Sequence, residues 1–491
     1  MLAKMSLRGS LGVALFALGC VAHDTASDRA AVQALVREHS GAEVAPVASE
    51  PQTSKLGAAA QATPPAASEA DAQRELERLG EQPLTLDAAV RIALWNNREL
   101  RAQLLGLGVA RGQLVQASVF PNLDFEAELL LPTESSGSRK WSLGAGFSLS
   151  DLILRGGLSG VAEADLSTAR IEAAGATLDL AYQVRLAYYD LQAAAQELAL
   201  LRTTHEAYAA SAEAAQALHD AGNVTDLDLS TQQSAEQGAQ LQLDQAQADA
   251  VDVRERLNVL LGLFGRDTGW RVQDPLPEPA AAIAPPERLE TRAIQASLEL
   301  AAARSTLAAA ERRVGATETA GWLPRLHVEA RAEHDGEYWQ VGPALSGSLP
   351  LFDRQQGAVV SGRAERDQIG ERLNAAAITI RAATRAARAK ALAAEQRVRR
   401  YRDQLLPLRE RIVAQTLLEY NAMQVGVFRL LEARREQLEA QRAYVATLRE
   451  YWHARATLEQ LLAGRLAGTL VFGQARATST KPANAARREE H

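Results

Sequence analysis

The sequence predicts a mainly α chain that also carries transmembrane β-structure, built as two tandem units of a helix, a β-hairpin and a long helical hairpin. Three observations predict it. An internal repeat recurs at an offset near 200 residues. Four segments alternate apolar and polar side chains over about ten positions. Two long stretches, 157–220 and 357–420, contain one proline between them, Pro407.

Composition supports this class. The chain has 491 residues, 47% hydrophobic and 23% charged, so it can bury a core. A formal net charge of -7 argues against nucleic acid as a partner. Aromatic residues make up 5%, and the helical segments lean on alanine, which favours closely approaching helices over a thick globular core.

The units are read from paired motifs. "ASVFPNLDFEA" from Ala117 matches "AGWLPRLHVEA" from Ala320, placing Pro121 over Pro324, Leu123 over Leu326 and Glu126 over Glu329. "SLSDL" at Ser148 falls over "SLPLF" at Ser348, and "AGNVTDLDL" at Ala221 near "AMQVGVFRL" at Ala422. The first unit is assigned to residues 84–264 and the second to 289–465, joined by a Pro-rich linker, 265–288. Residues 21–83 and 466–491, rich in small and polar residues, read as a flexible tether and a flexible tail.

Within each unit the strands come as a pair, predicted at about 121–131 and 141–152, then 324–334 and 338–351. In the first, Leu123, Phe125, Ala127, Leu129 and Leu131 alternate with Asn122, Asp124, Glu126 and Glu128. In the last, Trp339, Val341, Leu345, Leu349 and Leu351 alternate with Gln340, Gly342, Ser346 and Ser348. A soluble sandwich is one reading. Two hairpins of bilayer-crossing length favour the other, in which several chains close one barrel with apolar faces toward lipid. Trp141, Trp322, Tyr338 and Trp339 then suit an interfacial aromatic belt.

The long helices, about 157–262 and 357–463 as hairpins, carry coiled-coil seams. Ile369, Leu373, Ala376, Ile380, Ala383, Ala387, Ala391, Ala394, Val398, Tyr401, Leu405, Leu408 and Ile412 recur at steps of three and four, with one doubled four near Ala387 that predicts a local change of supercoil. Leu430, Ala433, Tyr444, Leu448, Tyr451, Leu458 and Leu461 supply the opposing side.

At the N-terminus, Lys4 and Arg8 precede a short apolar run that ends at Gly19-Cys20. The run is too short to span a bilayer and has the form of an export signal. "ALGC" resembles a bacterial lipobox, which implies residues 1–20 as a lipoprotein signal peptide and Cys20, the sole cysteine, as an acylated (palmitate-type) anchor, a plain signal peptide with an incidental cysteine being the other reading. Val21-Ala22 lacks the aspartate that resembles an inner-membrane retention signal.

The twin units with Pro121 and Pro324 at their corners resemble the outer-membrane factor family, the TolC-like efflux channels. So do "LTLDAAVRIALWNNREL", "GPALSGSLPLFDR" and "LEARREQLEAQRAYVATLREYWHARATLEQLLAG". The resemblance covers residues 84–465. It implies a homotrimer whose twelve strands form one barrel in the outer membrane of a Gram-negative bacterium and whose twelve helices form a periplasmic tunnel. It implies a passive exit duct with no cofactor, docked on a periplasmic adaptor linked to an inner-membrane pump. "YNAMQVGVFRLLEARREQLEA" is similar to the branch associated with heavy-metal efflux.

The resemblance also assigns residues. Gly222, Asn223, Val224 and Thr225 in one turn, and Val425, Gly426 and Val427 in the other, become adaptor-docking tips, where turn chemistry alone is the plainer account. A glycine is expected where Met423 stands. Asp226, Asp228 and Arg429 fall at the periplasmic aperture. An Asp-Arg ring there would hold the entrance shut in a salt-sensitive way, and three solvated charges are the alternative.

Catalytic chemistry is not expected. His205, His219, His327 and His453 are scattered without metal-ligand spacing, and "GLFGRDTG" is neither a P-loop nor a dinucleotide fingerprint. Two other readings stay open, a periplasmic adaptor and a structural coiled-coil lipoprotein. The first predicts one hairpin beside compact β domains, and the second gives no reason for four strands.

If the apolar strand faces meet lipid, a charge in place of Leu345 costs about 2–4 kcal/mol and one in place of Ser346 is tolerated. The yield of folded protein from membrane extracts of Leu345→Arg and Ser346→Arg measures the difference.

Overall fold

The computed structural model describes residues 26–40, 83–131, 139–272, 275–279, 288–334 and 338–467. Cys20 and the proposed signal peptide lie outside the described residues, as do most of the predicted tether and tail.

Elements follow the predicted duplication. A short helix, α1 (Ala26–Ser40), is followed by α2 (Leu86–Asn96), α3 (Arg98–Ser118), β1 (Asp124–Leu130), β2 (Lys140–Ser148), α4 (Leu149–Asp220) and α5 (Asp226–Leu261). The second unit repeats this as α6 (Leu289–Ala296), α7 (Leu298–Trp322), β3 (Arg325–His334), β4 (Trp339–Ser348), α8 (Gln356–Arg400), α9 (Leu406–Asn421) and α10 (Val427–Leu462). The four strands form one antiparallel sheet in the order β1-β2-β3-β4.

Local chemistry sets the joints. Asn97 ends α2 and caps α3 by accepting from the Leu100 N–H at 2.9 Å, and Ser297 does the same between α6 and α7 at 3.1 Å. The C-terminal ends of both hairpins return to these joints through left-handed glycines. Gly262, at φ 68°, sits so close to Asn96 that a Cβ would lie 2.7 Å from its carbonyl oxygen. Gly464, at φ 88°, stands 2.0 Å by the same measure from the Ala296 oxygen. Only glycine meets both demands, the positive φ and the close approach.

Several predicted boundaries need correction. The second strand stops at Ser148, because that residue caps α4 through the Asp151 N–H at 3.3 Å, so residues 149–152 are helix rather than strand. α4 then runs 72 residues, about 110 Å at 1.5 Å per residue. The first strand is likewise shorter at both ends than its sequence pattern. The tether is not uniformly flexible: α1 lies within it, burying Val32 and Val36 in the main core. Chain beyond residue 465 stays packed as far as Ala467, which is 1% exposed.

That core lies where short helices wrap the long ones. Ile92, Leu100 and Leu107 meet Leu178, Val184 and Tyr188 of α4, Leu257 and Leu261 of α5, and Val398 and Tyr451 of the second hairpin. The inter-unit linker packs here as a strap. Trp270 is buried and donates to Asn258 at 2.9 Å, Leu276 is buried, and Glu278 pairs with Arg402 at 3.0 Å. The α8 seam is buried from Ile380 to Val398, as its spacing predicts. The irregular turn falls lower than Ala387, as a π-turn over Tyr401–Leu405, with the Leu406 N–H bonded to the Tyr401 carbonyl. Pro407, which lacks an N–H and crowds the turn before it, accounts for that place.

α1 is held by one buried carboxylate. Asp28 is fully buried between two arginines, with Arg111 donating at 2.7 Å and Arg170 Nε at 2.9 Å. Burial pushes its carboxyl up, but the hydrogen bonds and charges of Arg111 and Arg170 outweigh this and hold it below the usual carboxylate range. Stability from this group is therefore complete above the ordinary carboxylate pKa and is lost as pH falls through the lowered one. Asp28→Asn lowers stability by about 1–3 kcal/mol at neutral pH. The gap to the parent in thermal unfolding closes at strongly acidic pH.

Candidate functional site

Two regions carry the residues that the sequence singles out, the sheet and the far turns of the helical hairpins. Strand register gives the sheet two distinct faces. Phe125, Ala145, Ala330 and Pro343 are cross-strand neighbours, as are Ala127, Leu143, Ala332 and Val341. This face is apolar and open: Phe125 is 77% exposed and Val341 76%. On the other face, Glu126, Gly144, Arg331 and Gly342 stand in one row, flanked by rows starting at Asp124 and Glu128.

Charged side chains on β1 and β3 fold over glycines of β2. Arg331 lies 3.1 Å from Glu329, 3.4 Å from Glu126 and 3.7 Å from Glu333. A Cβ on Gly146 would stand 2.6 Å from the Glu329 Cβ, so the glycine makes room for this ladder. The long edges of β1 and β4 have no partner strand among the described residues. At the loop end of the sheet, Trp141, His334 and Trp339 form an aromatic cluster, with Trp141 and Trp339 centroids 4.5 Å apart. No described helix is long and apolar enough to cross a membrane.

Ser150 fastens the sheet to the helices. Its hydroxyl donates to the Pro324 carbonyl at 2.8 Å and accepts from the Leu326 N–H at 2.6 Å, joining the start of α4 to the start of β3.

At the opposite ends of the hairpins the two turns share one backbone form. In the first, Gly222 takes φ 73° and the Asn223 N–H reaches the Leu218 carbonyl at 2.8 Å. In the second, Met423 takes φ 56° and the Gln424 N–H reaches Glu419 at 2.9 Å. Met423 thus adopts the conformation a glycine would take, with its side chain 94% exposed.

The charged residues near the turns are mostly committed to local partners. Thr225 and Asp228 form a reciprocal capping box at the start of α5, and these hydrogen bonds from the Thr225 hydroxyl and N–H hold the Asp228 carboxyl below its usual range. Asp226 accepts from His219 at 2.6 Å, a bond that raises the imidazole pKa. The pairing of an imidazolium with the carboxylate is complete just below the ordinary imidazole pKa and is lost as pH rises through that raised value. Arg429 pairs with Glu432 at 3.0 Å. Among the described residues of one chain, no ion pair joins Asp226 or Asp228 to Arg429. Beside this tip a cavity of about 320 Å³ opens between α4, α5 and α10, walled by Tyr208, Gln232, Phe428 and Arg435. No cluster of three metal-binding side chains occurs among the described residues.

Residues 89–263 match the family model of the outer membrane efflux proteins. The cobalt-zinc-cadmium resistance protein CzcC of Cupriavidus metallidurans is 25% identical over 402 residues, spanning 77% of this chain and 90% of CzcC. Within those bounds the chain is similar to the outer membrane efflux proteins. Solved structures share the fold. The CusC crystal structure aligns with a TM-score of 0.66 at 17% identity, over 77% of this chain and 92% of that one. The Campylobacter jejuni CmeC outer membrane channel gives 0.66 at 15%, over 86% and 94%. The open state of the Neisseria gonorrhoeae MtrE outer membrane channel gives 0.66 at 16%, over 77% and 89%.

Sequence reasoning found the strand faces and both turns. It missed Ser150, which lay in a segment read as strand, and the His219–Asp226 bond, whose seven-residue spacing is visible only once the chain turns back. The Arg331 ladder was legible in part, as alternating charge, but not as a cluster.

Because Met423 carries a left-handed conformation that disfavours side chains, Met423→Gly relieves roughly 1 kcal/mol of local strain. Slower amide hydrogen exchange at residues 421–427 is the expected result.

Proposed function

We propose that this chain is the outer-membrane exit duct of a tripartite efflux system, three copies of it closing one barrel and one periplasmic tunnel. The carrying observation is the sheet: one apolar face, one charged face and two unpartnered edges. Such a sector cannot stand in lipid alone, and three of them supply a closed wall around a polar lumen. Exposed apolar side chains along the hairpins, among them Leu241 and Val259 of α5 and Leu417 and Leu418 of α9, fit the same association. Transport energy then comes from the pump, and no residue here performs catalysis.

Cys20 is the lipid anchor in this reading. The turns at Gly222, Asn223, Val224 and Thr225 and at Val425, Gly426 and Val427 meet the adaptor. Arg429 guards the aperture by exchanging Glu432 for a carboxylate of a neighbouring chain. Likeness to CzcC supports divalent metal cations as cargo. A heat-resistant trimer on unboiled gels that conducts in planar bilayers is expected. A monomer that stays in water without lipid refutes the duct. In the same bilayers Arg429→Ala raises the open probability, and an unchanged value removes the gate. Deletion of the gene lowers tolerance to cobalt, zinc or cadmium salts if the cargo reading holds.

A further inference from the structure

Where the chain passes between sheet and helices, one arrangement occurs twice. In the first unit the Arg155 guanidinium lies over the Phe120 ring, 4.0 Å from its centroid, and its Nε donates to the Ser118 carbonyl at 2.7 Å. In the second, Arg354 lies 4.3 Å over Trp322, and its Nε donates to the Pro350 carbonyl at 3.3 Å. Neither guanidinium has a carboxylate partner among the described residues. Asp353, beside Arg354, turns instead to the Gln355 N–H at 2.8 Å. Each arginine is thus fixed by Nε and by the ring beneath it, while its two terminal amino groups stay free.

The two sites are equivalent in place but not in register. With Pro121 over Pro324 and Ser148 over Ser348, the ring and the cation of the second unit are both displaced by one residue from those of the first. The pairing survives because both members shift together. Gly321, which aligns with Ser118, makes the second version possible, since a Cβ there would stand 2.2 Å from the Arg354 carbonyl oxygen.

Their surroundings are apolar and open. Phe120 is 64% exposed, Trp322 68% and Phe352 92%, with Leu123, Leu349 and Leu351 exposed beside them. Large apolar side chains at one level, next to fixed cations with free donors, match a layer that is hydrocarbon on one side and phosphate on the other. A guanidinium held in one plane presents the fork that pairs bidentately with phosphate.

We infer that Arg155 with Phe120, and Arg354 with Trp322, form two headgroup stations per protomer that bind the phosphate of an anionic phospholipid in the leaflet facing the helices. The inference rests on the reading of the sheet as a barrel sector in the outer membrane. Bound lipid at these stations fixes the depth at which the sheet sits and covers the apolar belt next to it.

The test uses the full-length protein, reconstituted in bilayers of phosphatidylcholine with phosphatidylglycerol, released, and examined by native mass spectrometry for retained lipid. The parent retains phosphatidylglycerol in preference to phosphatidylcholine. The double variant Arg155→Gln/Arg354→Gln loses about ten-fold of that retention, and Arg155→Lys/Arg354→Lys, which keeps charge but not the fork, falls between. Equal retention by parent and glutamine variant overturns the stations. Removal of the effect by excess inorganic phosphate overturns the lipid assignment in favour of a free-anion site. Conductance of the same preparations separates the two readings: a conducting trimer with unchanged retention sinks only the stations, whereas a parent that neither assembles nor conducts sinks the duct.

Discussion

A strand edge left unpaired in hydrocarbon strands its N–H and C=O groups where neither water nor protein can satisfy them, at several kcal/mol each. The sheet has two edges with no partner strand among the described residues, on β1 and β4, and an apolar face that no described helix covers. Everything else in the molecule is arranged around that incompleteness. The helices hang from one end of the sheet and stay clear of its apolar face, and Ser150 locks their departure point to the start of β3. On the polar face Arg331 stands alone among three glutamates, so that cluster keeps an excess of negative charge.

Duplication solves the second problem, which is to hold helices of about 100 Å in parallel without a thick core. Each hairpin returns to the joint of its own unit through a left-handed glycine, Gly262 against Asn96 and Gly464 against Ala296. The contact is backbone against backbone, with no side chain between to absorb a shift of the hairpin. Between those clamps the helices meet through alanines such as Ala383, Ala387 and Ala391, which allow close approach but contribute little burial each. The deeper core collects instead around Trp270, Leu276 and Tyr451, where the strap between units crosses the long helices. Differences between the units are local: a glycine turn at Gly222 and a methionine forced into the same conformation at Met423.

Much of this was legible in the sequence, because period-two and period-three-to-four patterns survive whatever packs against them. The faces of the strands, the seam from Ile380 to Val398 and both far turns were read from residue order alone. Boundaries were less legible. Leu149 and Ser150 continue the strand alternation, yet Ser148 caps a helix there by accepting from the Asp151 N–H. α1 was hidden in a segment whose composition is that of a linker, and its docking depends on two arginines far away in the chain.

By itself the sequence determined the duplication, the alternation that makes a two-faced sheet and the spacing that makes long paired helices, since each of these is a local regularity. Tertiary structure decided which charges are spent and which are free. Asp228 is consumed by a cap and Asp226 by His219, while Arg155 and Arg354 keep their donors open. Some of these pairings are local, Thr225 with Asp228 and His219 with Asp226 across one turn, while Arg155 reaches back to Ser118 from another element, and no periodicity encodes them.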